Sequence, residues 1–259
     1  MNGHERLRYA RNMALPEIGL AGQEALLASS VLVIGAGGLG SPLLFYLAAV
    51  GVGHLGIVDD DQVSLSNLQR QILHATSDLD SPKVLSARDT LLRLNPGLQI
   101  TPFCERLDDT NAALLIAGYD LVVVASDNFK ARTIANRICL DQAKPMLTAA
   151  VSQFSGQIYA FKPYLGGPCY QCVFPTLHTL MMSATPPASD KPHSGDGILG
   201  SVAGVVGSWL ATEAIKELLQ IGESLAGQML FIEALSNTVR KMKIPSNPAC
   251  PCCGRTAKT

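Results

Sequence analysis

A chain of 259 residues with 20 basic and 21 acidic side chains, formal net charge −1, is long enough to bury a sizeable core as one large α/β domain or two small ones. Its near balance of charge, no basic run longer than two residues and 5% aromatic content exclude the electrostatic footprint and stacking surface of a nucleic-acid binder. The opening MNGHERLRYARNMALPEIGL is charged and has no apolar h-region, so no secretory signal is expected and the chain is placed in the cytoplasm.

Taken in order, residues 1–30 form an N-terminal helical segment, with helix expected over 5–29, leading into the strand VLVIG from Val31. A Gly-rich turn, a helix to about Val50 and the strand LGIVD follow. No Asp, Glu, Lys or Arg occurs from Ala25 to Val58, enough on paper for a membrane span. Five glycines and prolines in its middle (Gly35, Gly37, Gly38, Gly40 and Pro42) would face lipid with broken backbone, so it reads instead as buried strand, turn, helix and strand. Ser81-Pro82 is set as N-cap and first helical position of KVLSARDTLLRL, which Asn95-Pro96-Gly97 ends.

LQITPF and LVVVAS read as further strands, separated by a short helix that stops at Gly118. Beyond SDN at Ser126, a helix to about Ala143 precedes the strand PMLTAA. Alternation then ends: GQIYAF, QMLFIEA and TVRKMKI read as a later antiparallel set. Residues 175–197, Pro/Ser-rich and without period, are expected to be a mobile crossover loop. The apolar run Gly197 to Thr212 reads as a packed core helix. With no internal repeat or separating linker, residues 1–259 are expected to make a single domain.

GAGGLG follows a strand and opens a helix, the context a GxGxxG motif requires. There Gly35, Gly37, Gly38 and Gly40 would let backbone approach a phosphate or adenosine at a helix N-terminus, though such a turn can also be purely structural. Asp59 lies where it could hold a ribose, so an NAD-dependent oxidoreductase is the natural first reading. That reading gives no purpose to the polar stretch that follows, SLSNLQRQ with Asn67, Gln69 and Arg70, nor to Lys83; neither Arg70 nor Lys83 reads as core.

CYQC supplies Cys169 and Cys172, and CPCCG supplies Cys250 and Cys253, four thiolates at the CxxC spacing of structural zinc. Disulfides and a redox CxxC are the alternatives. Cys250 and Cys253 fit the turn before Gly254 better than a register using Cys252, while Cys104 and Cys139 sit in apolar patterns and read as core.

Strand-GAGGLG-helix, VDDD, SLSNLQRQ, PKV, SDN and the paired CxxC occur in one order, from RYAR at Arg8 almost to the C-terminus. In this the chain resembles the ThiF/MoeB/HesA family, adenylyltransferases related to ubiquitin-activating enzymes. The resemblance implies a Rossmann-like α/β sheet, parallel at first with antiparallel C-terminal strands, stapled by Zn²⁺, in a homodimer. It implies Mg²⁺- and ATP-dependent adenylylation of the C-terminal glycine of a ubiquitin-like sulfur carrier of the ThiS or MoaD kind, serving thiamine or molybdopterin cofactor synthesis. Neither nucleic acid nor membrane is implied.

By the same resemblance Gly38 and Asp59 contact adenosine, Ser66, Asn67, Gln69 and Arg70 line the phosphate loop, and Lys83 reaches phosphate. Asp127 would hold Mg²⁺, Asn128 would join it in binding the nucleotide, and Arg11 would reach the partner subunit's ATP. The chemistry asks for such a set: a carboxylate nucleophile needs no general base, only alignment and stabilisation of charge building on phosphate and pyrophosphate. Two departures stand out. Many relatives carry a loop cysteine before a GVxGPxxG-like helix start, where this chain reads KPHSGDGILGSVAGVVG, with His193 near that position and Ser201 for the proline. No cysteine lies between Cys172 and Cys250, which removes the residue of a covalent thioester or persulfide step there and leaves adenylation untouched. An acid common at the Val124 position is also missing. A docking module without chemistry is thus the third reading, beside adenylyltransferase and oxidoreductase.

Overall fold

The computed structural model describes residues 1–175 and 197–254. Three helices open the chain: α1 (Gly3–Arg8), α2 (Ala10–Met13) and α3 (Gly19–Ala28). The expected single N-terminal helix is thus broken, and Gly19, with φ +56°, lies at the break before α3. In α1 Asn2 and Glu5 form a reciprocal capping box.

The sheet has eight strands in the order β3-β2-β1-β4-β5-β6-β7-β8. These are β1 (Ser30–Ile34), β2 (His54–Val58), β3 (Gln99–Phe103), β4 (Leu121–Val124), β5 (Met146–Ser152), β6 (Ser155–Phe161), β7 (Gln228–Glu233) and β8 (Thr238–Lys243). The first five run parallel and the last three antiparallel, as the sequence pattern required. Strand order reverses between β1 and β4, which makes the carboxyl ends of those strands the place for a ligand crevice.

The crossovers are α4 (Gly40–Val50), α5 (Lys83–Leu94), α6 (Ala112–Ala117) and α7 (Phe129–Asp141), followed by the short α8 (Tyr170–Val173) and the long α9 (Gly200–Leu219). Alternate residues of β1 feed two cores. Val31 and Val33 pack in a cluster with Leu43, Leu44, Val206 and Leu210, while Leu32 and Ile34 pack in another with Ile116, Ile134 and Ala135. Burial of Val202, Val206, Leu210 and Ala214 bears out α9 as a core helix, longer than expected. Among the described residues no helix is long and apolar enough to cross a membrane. Residues 176–196, most of the expected crossover loop with His193, lie outside the described residues.

Three local expectations are corrected. Helix α5 starts at Lys83, with Pro82 rather than Ser81 at the N-cap. Pro82 pairs with Gln62 in an isolated bridge, the N–H of Val63 donates to the Ser81 carbonyl, and Pro82 is thereby held extended. Helix α7 stops at Asp141, before Ala143 turns left-handed at φ +51°. Cys139 is buried as expected, but Cys104 is exposed: it follows β3, the edge strand, whose residues are nowhere fully buried.

Candidate active site

The glycine turn joins β1 to α4, and its four glycines divide into two pairs. Gly35 has φ +103°, and a Cβ there would lie 2.9 Å from the Ser126 backbone nitrogen; a Cβ at Gly40 would lie 2.1 Å from the Gly35 carbonyl oxygen. Both are therefore required by the backbone itself. Around Gly37 and Gly38 the nearest neighbours are side chains, Gln71 for the first and Arg70 and Ala203 for the second. At these two positions only side chains stand over the backbone.

Asp59, at the end of β2, fastens this turn. Its Oδ2 accepts from the Ala36 N–H at 2.8 Å and its Oδ1 from the Asp61 N–H at 2.9 Å. Burial pushes the Asp59 carboxyl above its ordinary range, against the pull of Lys83 and of the two backbone donors. The expected ribose acid is thus also a brace for the glycine turn.

The polar loop begins with a 3₁₀ turn, Leu65–Asn67. Arg70 folds back across Gly38, its Nη2 donating to Asn67 Oδ1 at 2.8 Å and its Nη1 reaching the Ser66 carbonyl at 3.4 Å. Asn67 thus fixes one arm of the guanidinium fork, while the Cγ and Cδ of Arg70 lie against Gly38; a planar fork held in this way suits phosphate. Gln69 is exposed, and its carbonyl lies where a Cβ at Gly200 would sit 2.3 Å away, so the start of α9 packs directly on this loop. The Ser66 hydroxyl lies 3.2 Å from that of Ser64.

Lys83 does not behave as the sequence suggested. It is buried, at 3% exposure, and its Nζ donates to Asp61 Oδ2 at 2.8 Å. The strand-like pairing of residues 61–63 with 81–83 that moved the helix start also draws Lys83 under the acidic stretch.

After β4, Ser126 and Asp127 reach the same rim. The Asn128 side chain is used as the N-cap of α7, accepting from the Ala131 N–H at 3.0 Å. Arg132 is buried and pins the loop from below, Nε donating to the Ser126 carbonyl and Nη2 to the Ala149 carbonyl. Asp60 pairs with Arg106 and Asp61 with Lys83, whereas Asp127 is exposed and forms no ion pair among the described residues. Arg11 is exposed on α2, which packs on α1 and α3.

Sequence reasoning passed over three residues here: Arg132, Gln71 and His74. Gln71 and His74 belong to the run QILH, where polar residues interrupt an apolar pattern, a signal that was available. Gln71 is buried with its Oε1 unpartnered.

The four cysteines converge at the far side. Cys169 and Cys250 sulfurs lie 3.6 Å apart, Cys172 and Cys253 3.3 Å, and Cys169 and Cys172 3.9 Å, with all four within 4.8 Å of one another. Tetrahedral zinc with Zn–S near 2.3 Å demands sulfurs about 3.8 Å apart, so the donor set and spacing fit that ion. No pair is bonded, and a tetrad is more than a redox CxxC uses. Hydrogen bonds, first from Cys252, push the Cys169 thiol down to about 4, while burial pushes Cys250 and Cys253 up, so the spacing of the four sulfurs is what points to a cation. Cys252 stays outside the tetrad and accepts from Asn136 Nδ2 at 3.3 Å, while Asn136 Oδ1 accepts from the Tyr170 N–H at 2.8 Å. Thus Asn136 of α7 holds both knuckles.

The chain is similar to several known proteins. A sulfur carrier protein adenylyltransferase of Thermus thermophilus is 44% identical over 251 residues, 95% of this chain and 90% of its own length. The SAMP-activating enzyme E1 of Haloferax volcanii is 43% identical over 247 residues, 95% of this chain and 88% of its own. The crystal structure of E. coli MccB with ATP superposes with a TM-score of 0.78 at 22% identity, covering 98% of this chain and 77% of that one, a likeness of fold. The ThiF family matches residues 9–252, and the chain belongs to it.

Proposed function

We propose that this chain uses ATP with Mg²⁺ to adenylylate the C-terminal glycine of a ubiquitin-like sulfur carrier, as one adenylation unit over residues 1–259. It is an adenylyltransferase, in line with the names of its relatives. One observation carries the reading: Arg70, its guanidinium held by Asn67, lies with its stem against Gly38, and the buried Lys83 acts on Asp59, the acid that braces the glycine turn. An oxidoreductase would have no use for either cation, and ATP–pyrophosphate exchange separates the reading from a docking module, in which Lys83 and Asp61 would be a structural pair alone.

The residues divide the work. Gly37 and Gly38 present backbone to the nucleotide at the N-terminus of α4, where negative charge is favoured. Asp59 holds the turn and faces the ribose. Arg70, Asn67, Ser66 and Gln69 form the phosphate loop, and Lys83 exchanges Asp61 for phosphate as charge develops on the leaving pyrophosphate. The carrier's carboxylate is already charged at neutral pH and attacks the α-phosphorus without a base on the enzyme. Asp127 would hold Mg²⁺, because its hard oxygens remain when Asp60 and Asp61 are engaged in ion pairs. Bound there, the ion would neutralise charge between phosphates.

Cys169, Cys172, Cys250 and Cys253 would hold Zn²⁺ as a structural staple. In a homodimer Arg11 would act on the partner's nucleotide. The carrier would serve thiamine or molybdopterin cofactor synthesis. The test is ATP–pyrophosphate exchange with purified ThiS-like and MoaD-like carriers: carrier-dependent exchange is expected, and nicotinamide binding without exchange would overturn the reading.

A further inference from the structure

We infer that His74, which the adenylation chemistry leaves without a part, is a positioning residue that registers the glycine turn, the phosphate loop and the Lys83 helix against one another. The inference rests on the nucleotide site described above. His74 is buried, at 7% exposure, four residues beyond Arg70. Its Nε2 lies 2.9 Å from the Ala36 carbonyl, and its Nδ1 lies 2.8 Å from Ser86 Oγ. A carbonyl only accepts, so Nε2 carries the proton and the ring clamps the glycine turn from the carbonyl side. Asp59 clamps the same residue from the other side, through the Ala36 N–H. Ala36 is therefore gripped at both ends of its backbone, one residue before Gly37 and Gly38.

The second arm reaches α5. Ser86 lies one turn after Lys83 on that helix, both buried, and donates to Asp78 Oδ2 at 2.8 Å. Asp78 Oδ2 also accepts from the Ala75 N–H, closing a ring around the end of the phosphate loop. Asp59, Asp78 and Lys83 are the charged groups that act on the imidazole, the two acids favouring a second ring proton and the lysine opposing it. Burial, the largest influence, holds His74 below its ordinary value and so in the neutral form. Ser86, with one proton between Nδ1 and Asp78, is the swivel that serves either acceptor.

Two substitutions separate the arms. H74Q keeps an N–H near the Nε2 position and loses the contact to Ser86; H74N keeps a polar atom near Nδ1 and loses the clamp on Ala36. Both should cost similar thermal stability, since each removes one buried hydrogen bond. In ATP–pyrophosphate exchange, H74N should raise KM for ATP roughly tenfold with a smaller fall in kcat, whereas H74Q should stay within roughly threefold of wild type. Equal KM values for the two variants, beside normal exchange by the wild-type enzyme, would overturn the role of His74 and leave the site reading intact. Absence of exchange in the wild-type enzyme would overturn both. If H74N does not fold, S86A joins H74Q as the test: each loses only the Ser86 arm and keeps the clamp on Ala36, so both should keep KM for ATP within roughly threefold of wild type, and a roughly tenfold rise in either overturns the proposal.

Discussion

The nucleotide end and the thiol end of this molecule are built on opposite plans. Between Gly35 and Ser86 the chain gathers the glycine turn, Asp59, the Asn67–Arg70 loop, His74 and Lys83, joined by hydrogen bonds that need no ion. The thiol tetrad joins residues 81 positions apart, Cys169 to Cys250 and Cys172 to Cys253, and its sulfurs have no bond to one another. Helix α7 touches both ends, with Asn128 at one terminus and Asn136 against the knuckles. The difference teaches that the glycine-turn end is organised by local hydrogen bonds, while the long-range closure rests on four thiols spaced as a metal would need them.

The largest expected effect breaks the second plan. Apparent binding energies of structural zinc, about 10–16 kcal/mol in small peptides, are comparable to or exceed a domain's usual net stability. Cys250→Ser should therefore cost folding before it costs chemistry, seen as lost zinc and a collapsed unfolding transition. Protein purified without chelator that contains no zinc would remove the staple altogether.

The next effect falls on the first plan. Arg70→Ala and Lys83→Ala should each slow adenylylation about a hundredfold, the scale for losing one donor aimed at developing charge. Their stabilities should differ: Arg70 is half-buried on the surface of the turn, while Lys83 is 3% exposed and its loss leaves a void beside Asp61. Thermal melts should show Arg70→Ala near wild type and Lys83→Ala clearly lower; equal melting temperatures would deny Lys83 its structural half.

A third experiment asks whether the nucleotide end is complete within one chain. Mixing an Arg11→Ala chain with an Asp127→Ala chain should restore activity, since one site of the heterodimer would keep its own Asp127 and the partner's arginine. Demonstrated subunit exchange without recovered activity would confine Arg11 to its own helix.

The smallest effect is a pH dependence from His74. Its folded-state value lies below the ordinary 6.5, so the unfolded chain binds more protons in the window just beneath 6.5. The contribution of neutral His74 is complete above that value and declines as pH falls toward the folded-state value. Wild type should lose stability below about pH 6.5 more steeply than H74Q, which has no titrating ring. Parallel curves for the two proteins would contradict this.

The first plan was largely legible in the sequence because its parts are motifs: strand before GAGGLG, acid after β2, SLSNLQRQ after that. The four cysteines were legible for the same reason, by spacing. What escaped depends on burial, which no motif records. Lys83 reads like a surface lysine until the bridge between Gln62 and Pro82 is known. His74 looks like one polar residue in an apolar run until Ala36 and Ser86 are seen on either side of its ring. Cys104 read as core because its neighbours are apolar, and only the sheet order reveals β3 as an edge. The division of the glycines into two positions closed by backbone and two covered only by side chains likewise needed the structure around them.

The central claim is that locally assembled cations at the glycine turn drive adenylyl transfer to a carrier's C-terminal glycine. Its most direct measurement is ATP–pyrophosphate exchange by the zinc-loaded wild-type protein, with an intact carrier and with the same carrier lacking its last glycine. Exchange that requires the glycine and drops about a hundredfold in Arg70→Ala is the predicted result. Exchange indifferent to the carrier's terminus, or to Arg70, would contradict it.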